Sequence, residues 1–127
     1  MKFYNQKTGD AGEKYTADYL QSQQFSILAT NFRTRLGEVD IIAQKNNIVS
    51  FVEVKTRQSK QFSLHGLISI NKQKKIIRAA KEFISLHCQG KDLLFRFDVA
   101  LLHYKKEQNQ YDVEYISNAF GVHDEYS

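Results

Sequence analysis

The chain has no proline, a single cysteine and no long apolar run. Without proline or a Gly/Ser-rich stretch nothing marks a linker, and no internal repeat recurs, so residues 1–127 read as a single domain. One thiol, Cys88, excludes a disulfide within the chain and suits a reducing compartment. The opening residues, MKFYNQKTGD, lack the apolar centre of a secretory signal, and nothing later approaches the roughly 20 residues that span a bilayer. The expected location is the cytoplasm, with no membrane partner. His65, His87, His103 and His123 have no zinc-ligand spacing relative to one another or to Cys88. No G-x-x-x-x-G-K-[ST], G-x-G-x-x-G or G-x-S-x-G occurs, so nucleotide hydrolysis and serine-hydrolase chemistry have no support.

What is present is enough apolar material for one core, 42% of residues, with a net charge of +4 that leans modestly towards a polyanionic partner. The most informative stretch is residues 37–57, GEVDIIAQKNNIVSFVEVKTR. Two apolar runs, 39–43 and 48–54, are separated by Lys45-Asn46-Asn47 and interrupted by acids that a plain core strand would not carry. Asn tolerates positive φ, so Asn46-Asn47 can make the two-residue turn of a hairpin. Partners then sum to 93, which sets Asp40 opposite Glu53 and Glu38 opposite Lys55. By strand alternation one face carries Glu38, Asp40, Ile42, Phe51, Glu53 and Lys55, and the other, Val39, Ile41, Ala43, Val52 and Val54, is expected to be the core.

Opposed carboxylates about 5 Å apart repel by roughly 3 kcal/mol at an effective dielectric near 20. A divalent cation between them turns that cost into binding energy. Oxygen ligands of this kind suit Mg²⁺ or Mn²⁺, and two carboxylates are too few for a closed calcium cage, leaving positions open for water and a phosphate. Lys55 shares the face and is placed to stabilise developing negative charge or to position the attacking water. The structural alternative is a cross-strand Glu38–Lys55 ion pair with Asp40 and Glu53 merely solvated.

Elsewhere the periodicity predicts a helix over residues 10–24, with Asp10 and Glu13 spaced as a capping box and Glu13, Ala17 and Leu20 on one stripe. Spacing alone leaves Glu13 open between completing the cap and serving the acidic site. Residues 25–34 read as a strand carrying Arg33, with Arg35 just beyond it, both near enough to the hairpin to meet phosphate. Residues 58–69, QSKQFSLHGLIS, have no clear period and read as a loop beside the site. A second helix is predicted over 71–86, burying Ile76, Ile77, Ala80, Phe83, Ile84 and His87. Lys74, Lys75, Arg78 and Lys81 lie on its flanks and Lys72 in its first turn, where a cation opposes the helix dipole. This reads as a phosphate-binding face or as a solvated helix surface. Residues 93–104 alternate as a strand in which Arg96 and Asp98 are expected to form a structural pair, and 111–116 form a last strand. Helix, three-strand meander, helix and two strands give an α/β sandwich around a mixed five-stranded sheet.

An Asp on one strand followed by Glu-X-Lys on the next, with an acid on a preceding helix, resembles the PD-(D/E)XK nuclease superfamily. The segments GEVDIIA, FVEVKTR and RFDVALL are similar to those of the YraN family of small bacterial proteins, whose fold is similar to archaeal Holliday-junction resolvases. Where that family often carries Gly after Phe, this chain has Ser63 after Phe62, so the loop geometry does not transfer. The resemblance implies a restriction-endonuclease-like sandwich. It also implies metal-dependent cleavage of nucleic acid, DNA in the first instance and branched DNA among the candidates, with a homodimer left open. Asp40, Glu53 and Lys55 would be catalytic, Asp40, Glu53 and Glu13 would hold Mg²⁺ or Mn²⁺, and Arg33, Arg35, Arg57, Lys72, Lys74, Lys75 and Arg78 would meet the nucleic acid. The competing functions are a nucleic-acid-binding module of the same fold with little turnover and a protein-interaction subunit with a vestigial site.

Overall fold

The computed structural model of the chain describes residues 11–57 and 68–122. Among these, α1 (Ala11–Ser22) leads into the strands β1 (Ser26–Arg33), β2 (Glu38–Lys45) and β3 (Ile48–Arg57). They are followed by α2 (Ile70–His87), β4 (Leu94–Lys105) and β5 (Gln110–Phe120). The sheet order is β1-β2-β3-β4-β5. Only β3 and β4 run parallel, from Ile48 beside Leu94 to Arg57 beside His103. Parallel neighbours need a crossover, and α2 supplies it. This is the α/β architecture with a mixed five-stranded sheet that the element order predicts.

The hairpin register is the predicted one. Lys45 pairs with Ile48, and the ladder continues through Ile42 with Phe51 to Ile41 with Val52, each pair summing to 93. Asn46 takes the positive φ of the turn, 55°.

The expectation of one core face is corrected, because both faces are covered. Ile41, Ala43, Val52 and Ala100 pack with Leu20 of α1. Their sequence neighbours Ile42, Phe51, Val99 and Leu101 pack with Ile76, Ala80 and Phe83 of α2. Strand alternation therefore feeds two helices, one on each face. Phe83 anchors the α2 side, meeting Phe32 edge-on at 5.3 Å and Phe51 at 6.1 Å between ring centroids.

Both helices bury slightly different stripes from those predicted. On α1 it is Gly12, Thr16 and Leu20, with Glu13 half-buried beside it, and Thr16 Oγ1 donates to the Gly12 carbonyl at 2.8 Å. On α2 Ala79 joins the core, while Ile84 and His87 are only half-buried. The proposed Asp10 cap and most of the loop after Arg57 lie outside the described residues. The N-cap of α2 is Ser69, whose hydroxyl accepts the Lys72 N–H at 3.1 Å.

Arg96 and Asp98 form the expected structural pair, on the side away from α2. Asp98 is fully buried and accepts from Arg96 Nε at 2.9 Å, from the Tyr115 hydroxyl at 2.6 Å and from the Asn118 N–H at 2.8 Å. Burial first, and then the charge of Asp98, hold the Tyr115 hydroxyl protonated far above its ordinary range. The network joins β4 to β5, which extends to Phe120 rather than ending at Ile116.

Candidate active site and nucleic-acid interface

The β2–β3 ladder runs to Ile41 and Val52, and the next residues on each strand are Asp40 and Glu53. Here a side chain takes over from the backbone. Asp40 Oδ2 accepts the Val54 N–H at 2.8 Å, satisfying a main-chain donor that lies beyond the paired stretch. Glu53 stands on the α2 face of β3 and is 6% exposed. Its Oε2 lies 3.7 Å from Lys72 Nζ, and its Oε1 is buried without a hydrogen-bond donor.

Burial, and next the negative charge of Glu53, raise the Asp40 carboxyl from its ordinary range to about 7. The Val54 N–H and the Lys72 ammonium pull the other way and lose. Glu53 favours the protonated form of Asp40 by its charge and as a nearby hydrogen-bond acceptor. A raised Asp40 carboxyl beside a second acid is a place where a hard cation would offset the repulsion.

The donor set fits a divalent ion of the Mg²⁺ or Mn²⁺ kind. Two acidic side chains converge, one buried carboxylate oxygen lacks a donor, and two protein ligands leave most of an octahedral shell to water or substrate oxygens. Among the described residues no three acidic, histidine or cysteine side chains are gathered to bind one ion. Glu13 is not gathered with Asp40 and Glu53 into such a group. It sits on α1, whose Leu20 packs on the sheet face opposite α2.

The Glu38–Lys55 pairing is corrected. Glu38 lies across from Arg33 on β1 and takes an ion pair from its Nε at 3.2 Å. Lys55 lies beside Leu101 in the parallel ladder. It is half-buried, two residues beyond Glu53, and among the described residues it has no ion-pair partner.

The basic residues divide into those the fold gathers and those it does not. Residues 34–37 form a tight turn between β1 and β2, in which Thr34 N–H donates to the Gly37 carbonyl at 2.8 Å. The Thr34 hydroxyl accepts from the Leu36 and Gly37 N–H groups at 3.0 and 3.1 Å. Gly37 rests against the backbone of α2, where a Cβ would collide with the Lys75 carbonyl oxygen. The turn is thus seated on the helix.

A cavity of about 480 Å³ is lined there by Arg33, Arg35, Lys72 and Lys75, with Glu38 as its acid. A second, of about 640 Å³, is lined by Arg35, Leu36, Arg78 and Lys81, together with Glu82 and Ser85. Lys74 and Arg57 line neither cavity. Lys72 has a partner that its place in the sequence does not suggest, since its ammonium faces Glu53 and so balances the cationic first turn of α2.

Among the residues lining these cavities, Lys81 was set on the α2 flank by the sequence but not carried into the nucleic-acid set, and Leu36 was not singled out. For Lys81 the signal was present, one helical turn beyond Arg78. For Leu36 none was, because a lone leucine in a turn carries no pattern.

A family model described as "Uncharacterised protein family UPF0102" matches residues 12–102. The chain belongs to the UPF0102 family. It is 41% identical over 126 residues to a UPF0102 protein of Clostridium acetobutylicum, covering 96% of this chain and all of the relative. A UPF0102 protein of Clostridium perfringens is 36% identical over 123 residues, with the same coverage. One from Synechococcus is 41% identical over 122 residues, covering 92% of this chain and 93% of the relative. The resemblance to YraN is to this same family. The UPF0102 match spans GEVDIIA, FVEVKTR and RFDVALL, and so takes in Asp40, Glu53, Lys55, the β1–β2 turn and all of α2.

Proposed function

We propose that the protein is a metal-dependent phosphodiesterase acting on nucleic acid, with DNA as the first candidate. The observation that carries this reading is the convergence of Asp40 and Glu53, a carboxyl held by the Val54 N–H and raised by its acidic neighbour, beside a buried Glu53 oxygen that lacks a donor. Structural acids of a small fold are normally satisfied by donors. Asp40 and Glu53 are the residues that would hold Mg²⁺ or Mn²⁺, which when bound supplies a Lewis acid for a phosphoryl oxygen and lowers the pKa of its water.

The protein's own groups do the rest. Val54 N–H fixes the orientation of the Asp40 carboxyl. Lys55 presents an ammonium on the Glu53 face, with no ion pair to neutralise it among the described residues, and is assigned to the phosphate or the attacking water. Lys72 is the counter-charge that Glu53 keeps when no metal is bound. The two cation-lined cavities, joined at Arg35 and Leu36, form a track for the backbone.

One observation favours a second reading, a nucleic-acid-binding module without turnover. Lys72 already lies within ion-pair distance of Glu53 and can stand where a metal would. A cleavage assay over linear, flapped and four-way DNA and over RNA, with Mg²⁺ or Mn²⁺, separates the two. Metal-dependent cleavage that is lost in Asp40→Asn is the expected result. Binding with no cleavage of any of these substrates would select the module.

A further inference from the structure

We infer that Leu36 is an apolar wedge, inserting beside an unstacked base while the surrounding cations hold the phosphates on either side of it. The inference rests on the nucleic-acid reading above and assigns a role to a residue outside the acidic pair.

Leu36 is 57% exposed, and a single exposed leucine is ordinary on a protein surface. Its setting is not ordinary. It lines the second cavity and the first, at the rim where they meet. Arg33, Lys72 and Lys75 line the first beside Glu38, Arg78 and Lys81 line the second beside Glu82, and Arg35 lines both, so cations outnumber acids around Leu36. An apolar tip within a cationic surface is complementary to a polyanion whose charges run along its edges and whose apolar faces lie between them. Nucleic acid has that pattern, and an acidic protein surface does not offer the apolar faces.

The turn is also built to hold a side chain out. The Thr34 hydroxyl accepts two of its N–H groups, Thr34 N–H closes it onto the Gly37 carbonyl, and Gly37 packs against α2 too closely to admit a Cβ. A wedge that is already ordered loses little entropy on insertion. Aliphatic side chains are used this way to part base steps, and the cost is least where stacking is already broken. The base step that Leu36 fits is therefore one at a boundary between duplex and single strand.

The test uses metal-free protein in EDTA, so that no cleavage intervenes, and DNA carrying 2-aminopurine either at a duplex–single-strand boundary or inside the duplex. Wild type is expected to raise the fluorescence of the boundary probe on binding, with little change at the interior one. Leu36→Ala is expected to bind with an unchanged salt slope but without the fluorescence rise, and Leu36→Met to retain it. Leu36 is exposed, so neither substitution opens the core. Binding by wild type with no rise, or a rise that persists in Leu36→Ala, overturns the wedge and leaves the proposed function standing. No binding of DNA by wild type also overturns the wedge, while the proposed function stands or falls by the metal-dependent cleavage assay.

Discussion

Asp40 Oδ2 accepts the Val54 N–H at 2.8 Å across the point where the β2–β3 ladder gives way to side chains. One carboxyl oxygen is thereby committed to the fold. The same carboxyl also feels the charge of Glu53, one oxygen of which faces Lys72. Structural and chemical demands fall on the same residue, so removing the charge of Asp40 while keeping its shape is an informative perturbation.

Asp40→Asn is expected to flatten part of the pH dependence of stability. The Asp40 carboxyl titrates near 7 in the folded protein, against an ordinary value of 3.8. The folded state thus binds a proton that the unfolded state has released anywhere between those values. Stability from this group is fully present below about pH 3.8 and is lost as pH rises through 7. Urea unfolding at pH 5.5 and pH 8.5 should show wild type losing more stability across the interval than Asp40→Asn. Saturating Mn²⁺ should recover the loss at pH 8.5 in wild type and much less in the variant. Identical pH profiles for the two proteins would remove the raised Asp40 carboxyl from the account.

The register that brings Asp40 to Glu53 was legible in the sequence because Asn46-Asn47 fixes a two-residue turn, and a two-residue turn fixes pairing by arithmetic. The partner of Lys55 was not legible. Carrying the same arithmetic outward set it opposite Glu38, but Glu38 is taken by Arg33 on β1 and Lys55 faces β4. A ladder's end depends on tertiary packing, which a local pattern does not encode. For the same reason Ile42 and Phe51 were placed on a face shared with acids. Alternation says which residues share a face, and only the second helix makes that face a core. The basic residues were visible as types, but their division into gathered and ungathered depends on where Gly37 lets the turn sit.

Gly37→Ala should cost stability and interface together. Its added methyl would meet the Lys75 carbonyl, which is backbone and cannot swing aside, so the turn must lift from α2. Overpacking of this kind costs about 1–3 kcal/mol. A matching fall in the urea midpoint, with weaker DNA binding at a pH where the variant remains folded, is the expected outcome. Normal stability would mean that the turn has room the geometry does not give it.

Replacing Lys75, Arg78 and Lys81 by Gln should lower the salt dependence of DNA binding. The log–log slope is expected to fall by about 0.9 for each duplex phosphate that the variant no longer neutralises. Lys74→Gln, at a position lining neither cavity, is the comparison and should change the slope less. If the triple variant keeps the wild-type slope, the α2 cations are a solvated face.

Lys55→Met separates catalysis from architecture. The ammonium has no ion pair among the described residues, so its removal deprives no acid among them of a partner, and the methionine keeps the half-buried aliphatic stem. Folding stability should therefore change by no more than about 0.5 kcal/mol, as for a surface substitution away from any network. Metal affinity should stay near wild type, since Asp40 and Glu53 are untouched. Cleavage is where the loss should appear, because one preorganised charge directed at the reacting group is commonly worth about 10² to 10³ in rate. Single-turnover cleavage with saturating Mn²⁺, measured beside urea unfolding, reads both quantities. A variant that folds and binds metal normally but cleaves at least about 10²-fold more slowly places Lys55 at the phosphate or its water. A rate within a few-fold of wild type would leave Lys55 with no role in the reaction and pass its task to Lys72, the other ammonium beside Glu53.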